Sequence, residues 1–283
     1  INNIIEDIIN ENIIKIDVNS ESYINKEYIL NESELTNILT DNINTKYNLD
    51  DLKYIFSKFS EAIIIVQIIN GEIIFNEKKG FESRNQSVID LLIKTNNYKK
   101  LPNIQFIIFT NDLIKNQELT QCKYLLTFCK KYSYDTILFP NFNFNHWLEA
   151  KIDNYETVYD NFTNNQILWK NKKNTVFWSG SNTNIIREKI SNASKKHDNY
   201  YINLLNKNSN NDNYILIEEI TKYKYLLNMN GYSYAARLNY LFLSGSCVII
   251  LKNDDKEKDY EEFFYKEFIP NEDYIEITYN DSE

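Results

Sequence analysis

Glycine, proline, cysteine, histidine and methionine are all scarce in this 283-residue chain, with counts of 5, 3, 3, 2 and 1. The three cysteines, Cys122, Cys129 and Cys247, leave an odd count and no metal-ligand spacing. That argues against a disulfide framework or a zinc module as the organising device. No apolar run approaches the ~20 residues of a membrane span, and no secretory leader is visible. The formal net charge of −9 provides no general basic face for nucleic acid. The first residue is Ile rather than Met, so the sequence reads as a fragment with its targeting segment outside it.

What is present is ordinary for a globular α/β chain: 43% hydrophobic residues and 25% charged. The length suits one large domain or two modest ones with ample core. Ile4, Ile5, Ile8 and Ile9 form an amphipathic stripe, and residues 48–59 read as a helix. The β-branched run 63–69, then Asn70-Gly71, then Ile73-Ile74-Phe75 is a hairpin signal. Residues 87–93 read as a helix and 104–109 as a buried strand that ends in Thr110-Asn111-Asp112. In open α/β sheets ligands sit beyond the carboxyl ends of strands, which makes Asp112 a candidate for chemistry. A turn or helix-capping Asp is the commoner role at such a place.

Short strands are expected at 124–128 and 136–139. They are followed by Phe142, Phe144, His146 and Trp147, which line a pocket or fill a core. A polar, helical stretch over 155–173 marks a domain boundary. Beyond it a strand at 175–178 stops at Ser179-Gly180-Ser181-Asn182-Thr183, small hydroxylated residues suited to cradling a phosphate or ribose. A helix with Ile185, Ile186, Lys189 and Ile190 carries Arg187 on its first turns. Strands are expected again at 200–204 and 215–217, with a polar loop over 207–213 between them.

The richest stretch is 223–251, YKYLLNMNGYSYAARLNYLFLSGSCVIIL. It reads as strand, loop, helix, strand, a right-handed parallel crossover. Ser233 is the expected helix N-cap, Gly245 the C′ residue, and Leu238, Leu241 and Phe242 the buried face. A helix N-terminus suits a phosphate, Gly231 admits close backbone approach, and Arg237 follows Ser233 by four residues. Taken alone, Arg237 also fits an ordinary surface arginine. Two of the five glycines, Gly180 and Gly231, sit in the two candidate anion loops.

Four blocks in order resemble glycosyltransferase family 90, which groups the Rumi-like protein O-glucosyltransferases with capsule-associated xylosyltransferases. They are LPNIQFIIFTNDL, FWSGSNTNIIREKI, KYKYLLNMNGYSYAARLNYLFLSGS and EEFFYKEFIPNEDYIEI, within a likeness over about 47–277. The resemblance implies a GT-B architecture of two Rossmann-like α/β domains facing each other across a cleft. It places an N-terminal helical or irregular segment at 1–60, an acceptor-side domain at 61–160 and a nucleotide-sugar domain at 161–283. It also implies inverting, metal-independent transfer of glucose or xylose from a UDP-sugar to a protein Ser/Thr or glycan hydroxyl, with no cofactor.

By position Asp112 is then the general base. Arg237 with Gly231, Tyr232, Ser233 and Tyr234 holds the diphosphate. Ser179, Gly180, Ser181, Asn182 and Thr183 complete the donor pocket, and Arg187 adds charge. Arg84, Phe144, His146 and Trp147 are acceptor-side candidates. No Asp-x-Asp metal signature occurs, so an arginine and a helix end are expected to take the metal's place.

Ser179 and Asn182 stand where many members carry arginines, and Leu113 follows Asp112 where proline is usual. Few of the cysteines expected of secretory members are present. That fits a reducing compartment of a viral or protist host, or a secretory protein whose signal lies outside this sequence. The alternative is a non-catalytic nucleotide- or glycan-binding module of a larger protein. A third is an α/β structural protein whose loops are only turns.

Overall fold

The structure, a computed structural model, describes residues 49–123, 125–205 and 214–279. The stripe Ile4, Ile5, Ile8 and Ile9, the polar loop over 207–213 and Tyr124 lie outside the described residues. Two compact units emerge: residues 49–156 with Tyr260–Phe263, and Thr157–Asp259 with residues 264–279.

The first unit runs α1 (Leu49–Lys58), β1 (Ile63–Ile69), β2 (Glu72–Lys78), α2 (Glu82–Tyr98), β3 (Ile104–Phe109), α3 (Gln117–Thr120), β4 (Leu125–Thr127) and β5 (Ile137–Leu138). The sheet order is β2-β1-β3-β4-β5. The β-branched run of β1 fills its centre, with Ile63, Ile64, Val66 and Ile68 all buried. Asn70 and Gly71 both take positive φ, the geometry a two-residue hairpin turn needs, and they fold β2 back antiparallel on β1. β1 is also antiparallel to β3, whereas β3, β4 and β5 are parallel, so this sheet is mixed. The segment Tyr260–Phe263 is held to this unit by a Lys130–Glu261 backbone pair and by Asn141 Nδ2 donating to Glu262 Oε1 at 2.7 Å.

The helix α4 (Tyr155–Asn164) begins at the end of the first unit and leads, in the second, into β6 (Lys173–Ser181), α5 (Ile185–Ser194), β7 (Tyr200–Leu205), β8 (Tyr223–Asn228), α6 (Leu238–Leu243), β9 (Cys247–Asn253) and β10 (Ile275–Tyr279). Every pairing in the order β10-β9-β8-β6-β7 is parallel. β7 lies on one side of β6, and the chain then returns to lay β8 on the other. The order therefore reverses between β6 and β8. Ridges from α5 (Ile186, Ile190) pack on Val176, Trp178, Leu227 and Ile249 to make the core beneath. The whole is a mixed α/β protein with two sheets rich in parallel pairs, consistent with a Rossmann-like fold. Among the described residues no helix is long and apolar enough to cross a membrane.

Three sequence expectations change. The strand expected at 215–217 is instead a 3-10 helix, Ile217–Lys222, entered through Leu216. Ile217 and Ile220 lie three apart, and Lys222 bridges Glu219 at 2.6 Å, so the three-residue period decides the local form. The strand expected to stop at Trp178 continues through Ser179, Gly180 and Ser181, paired with Asn203, Leu204 and Leu205 of β7. The third change concerns Ser233, which does not cap α6. That helix begins at Leu238, with Arg237 in the cap position and no side-chain cap bond. Gly245, with φ 64°, follows the C-cap Ser244 as expected.

Candidate active site

Where the order of a parallel sheet reverses, the two strands part at their carboxyl ends and leave a crevice between the loops that follow them. In the second unit those loops are residues 182–184 after β6 and 229–237 after β8, and they hold most of the residues singled out in the sequence.

Arg187 joins them. Its guanidinium donates to Ser181 O at 2.9 Å, Thr183 Oγ1 at 2.8 Å, Met229 O at 2.7 Å and, through Nε, Asn230 O at 3.0 Å. Those bonds commit four of the five N–H donors an arginine carries. Arg187 is therefore a splint between the two strand ends. Asn184 caps α5 by accepting from Ile186 N, and its Nδ2 donates to Gly231 O at 3.2 Å. Asn230 is fixed in turn by Asp259, whose Oδ1 accepts from Asn230 Nδ2 at 3.2 Å while Oδ2 accepts from Asn253 N at 2.8 Å. Burial pushes the Asp259 carboxyl up to about 6, opposed by Lys252 and by those two bonds.

Arg237 lies on the same corner. Its Nη1 donates to Ser179 O. Arg187 and Arg237 both lie against the indole of Trp178, at 5.2 and 5.1 Å from ring to guanidinium carbon. Gly180 makes this possible, since a Cβ there would overlap Arg237 Nη2 and come within 3.0 Å of Trp178 Cζ2. A Cβ at Gly231 would meet Thr183 Oγ1 at 3.0 Å and Arg187 Nη2 at 3.2 Å.

Two neighbouring cations withdrawn from water are costly. Burial pushes Arg187 down to about 9, with repulsion from Arg237 adding to it. Burial likewise pushes Arg237 down to about 10, with Tyr214 pulling the other way. Among the described residues no carboxylate pairs with either guanidinium. The same corner buries Trp178 Nε1, both amide atoms of Asn228, Asn230 Oδ1 and Ser233 Oγ with no hydrogen-bond partner among the described residues. Of the remaining loop residues, Gly231 N donates to Tyr234 O at 3.3 Å, Asn182 N donates to Leu205 O at 3.1 Å, and the Tyr232 ring is about half exposed.

In the first unit, Asp112 follows β3 as expected. It caps no helix: the cap of α3 is Asn116. Its Oδ1 accepts from Arg84 Nη1 at 2.7 Å. Of the other acceptor-side candidates, Phe144 is buried against Tyr155 and Phe263, and Trp147 meets the edge of Phe142 at 6.1 Å. His146 Nε2 lies 3.7 Å from Asp90 Oδ2. The structure thus brings Arg84 to Asp112, and it sets Phe144 and His146 in packing and pairing of their own. Among the described residues no three His, Cys, Asp or Glu side chains gather to hold a metal ion.

Sequence reasoning missed Trp178 as the surface that both arginines share, and it missed the Asp259–Asn230 support. An apolar Trp inside a strand reads as core, and Asp259 lies 29 residues from its partner.

The sequence model of glycosyl transferase family 90 matches residues 51–282. The chain belongs to that family. This match spans all four of the blocks that carried the resemblance, and it makes the domain a glycosyltransferase domain, with a sugar donor and an acceptor as its substrates. No curated protein matches the chain.

Proposed function

We propose that this family 90 chain is an inverting, metal-independent transferase. It moves glucose or xylose from a UDP-sugar to a hydroxyl of a protein Ser/Thr or of a glycan, with its two units arranged as a GT-B enzyme. The observation that carries the reading is the pair of desolvated guanidiniums at the reversal point of a parallel sheet, without a carboxylate partner among the described residues. A diphosphate supplies the missing negative charge, and guanidiniums bind it in charge-assisted forks.

In this reading Arg237 grips the diphosphate, while Arg187 adds charge and holds the two loops in register. Residues 179–183 and 231–234 surround the sugar nucleotide, and Asn228, Asn230 and Ser233, at the end of β8 and in the loop after it, carry buried polar atoms without a hydrogen-bond partner among the described residues. The helix-end contribution foreseen from Ser233 drops out, because α6 has six residues and starts at Leu238. Asp112 takes the proton of the acceptor hydroxyl. The acceptor oxygen then attacks the anomeric carbon opposite the UDP, and the bond to the β-phosphate oxygen breaks with its electrons going to UDP. A positioned base contributes roughly 10²–10⁴ in rate, and offsetting the leaving-group charge roughly 10²–10³.

The test is UDP affinity by calorimetry in wild type and Arg237→Ala. Loss of charge-assisted hydrogen bonds is worth about 1.5–3 kcal/mol, so the dissociation constant should rise by roughly 10- to 100-fold. Equal affinity in the two proteins removes Arg237 from the donor pocket. Failure of wild type to bind UDP favours an α/β structural protein whose loops are only turns, and UDP binding without release of free sugar from a UDP-sugar favours the non-catalytic module. A thermal-shift screen of UDP-glucose, UDP-xylose, UDP-galactose and UDP-N-acetylglucosamine then ranks the donors, because a ligand of the folded state alone raises its stability.

A further inference from the structure

The Arg84–Asp112 pair is more than a surface salt bridge. Exposed pairs contribute little because two long side chains must be fixed for a screened attraction. Here the fixing is done by packing. The Arg84 guanidinium lies 4.4 Å from the Phe81 ring and 4.7 Å from the Phe142 ring. Phe142 is buried, and its carbonyl accepts from Ser87 Oγ at 2.5 Å, which ties it to α2, the helix that carries Arg84. Phe81 leaves about half of its ring exposed at the entry to α2, an unfavourable place for a phenyl group that its stacking on Arg84 explains.

Asp112 is fixed from its own side as well. Its backbone N donates to Asn111 Oδ1 at 2.8 Å, and its carbonyl accepts from Cys129 Sγ at 3.7 Å. Arg84 occupies Oδ1, and Oδ2 makes no hydrogen bond among the described residues. The side chains of Arg84 and Asp112 remain 16% and 30% exposed, so the pair is reachable by a substrate.

We propose that Arg84 is a positioning residue for the proton transfer. It clamps the Asp112 carboxylate through Oδ1 and presents Oδ2 as the atom that takes the acceptor's proton. This rests on reading Asp112 as the base, and it replaces the expectation that Arg84 itself binds the acceptor. In the step, the acceptor O–H proton passes to Oδ2 and the oxygen forms its bond to the anomeric carbon. The bond to UDP breaks, and Arg84 keeps its protons throughout. A carboxylate free to rotate meets the hydroxyl in the wrong geometry, and misplacement on the order of 1 Å costs up to about 10²-fold in rate.

The experiment measures sugar release from UDP-glucose and from UDP-xylose, with water as acceptor. It compares wild type, Asp112→Asn, Arg84→Lys, Arg84→Gln and Arg84→Ala with and without added guanidinium ion. UDP affinity and melting temperature are recorded for each. Arg84→Gln should lose roughly 10- to 100-fold in turnover at unchanged UDP affinity, Arg84→Lys should lose less, and guanidinium should restore part of the Arg84→Ala rate. Wild-type turnover in Arg84→Gln, beside an inactive Asp112→Asn, overturns the positioning role and leaves the base intact. A loss that tracks falling melting temperature and gains nothing from guanidinium also overturns it. Full turnover in Asp112→Asn, or none in wild type with either donor, overturns the underlying reading.

Discussion

A single missing methyl group decides the geometry of the corner where Arg187 and Arg237 meet Trp178. Gly180 lies within the paired part of β6, where no turn calls for glycine. Its Cβ position is taken by Arg237 Nη2 and flanked by Trp178. Gly180→Ala should push the Arg237 side chain away from the indole and from Ser179 O. UDP affinity should fall by roughly tenfold, in line with losing one charge-assisted hydrogen bond, with a smaller change in melting temperature because the far end of the arginine can shift. Unaltered UDP affinity in that variant would separate the Gly180 contact from donor binding. The sequence made Gly180 conspicuous only through the general scarcity of glycine. Its partner lies 57 positions away, and no local pattern announces a contact of that separation. Arg187 was legible as a charged residue on the first turns of the helix after β6, yet its commitment to main-chain carbonyls depends on where β8 ends beside β6, which is a tertiary fact.

At the scale of the elements, strands and helices with a strong local signal emerge where the sequence places them. β1, its Asn-Gly turn and β3 follow from β-branched runs and from the turn's positive φ. Boundaries that depend on a distant partner do not. β6 runs on to Ser181 because β7 supplies a parallel neighbour, and α6 starts late because the segment 231–237 is held by the glycine turn and Arg237. One further element junction carries a prediction. Lys172, buried just before β6, donates to Thr221 O at 2.6 Å, Ser244 O at 2.9 Å and Ser246 Oγ at 2.9 Å. It thereby ties the 3-10 helix before β8 to the turn after α6. Burial pushes its ammonium down to about 8 from an unfolded value of 10.5. Between those values the unfolded chain holds the proton and the folded chain does not, so the contribution of Lys172 to stability rises with pH across that window and is lost as pH falls through about 8. Denaturant unfolding of wild type and Lys172→Met at pH 7.5 and 10 checks this: the wild type should gain relative to the variant at the higher pH. A gap that stays constant would show that the folded-state ammonium titrates as it does in the unfolded chain.

For the whole molecule, family membership over 51–282 and two α/β units rich in parallel strands make a glycosyltransferase domain of this chain. Four ordered blocks were enough for the sequence to announce the family. The β1–β2 hairpin was legible from Asn70-Gly71, but the antiparallel pairing of β1 with β3 was not, because an apolar run reads alike whether its neighbour is parallel or antiparallel. The chemistry proposed for the molecule has one outcome that can be read directly. In UDP-glucose the sugar is α-linked, and attack on the anomeric carbon opposite UDP yields the β-configured product. Proton NMR of UDP-glucose turnover with water as acceptor, followed before the anomers equilibrate, should show β-glucose appearing first with wild type and no glucose with Asp112→Asn. Release of α-glucose first, or undiminished release by Asp112→Asn, would contradict an inverting transfer driven by that carboxylate.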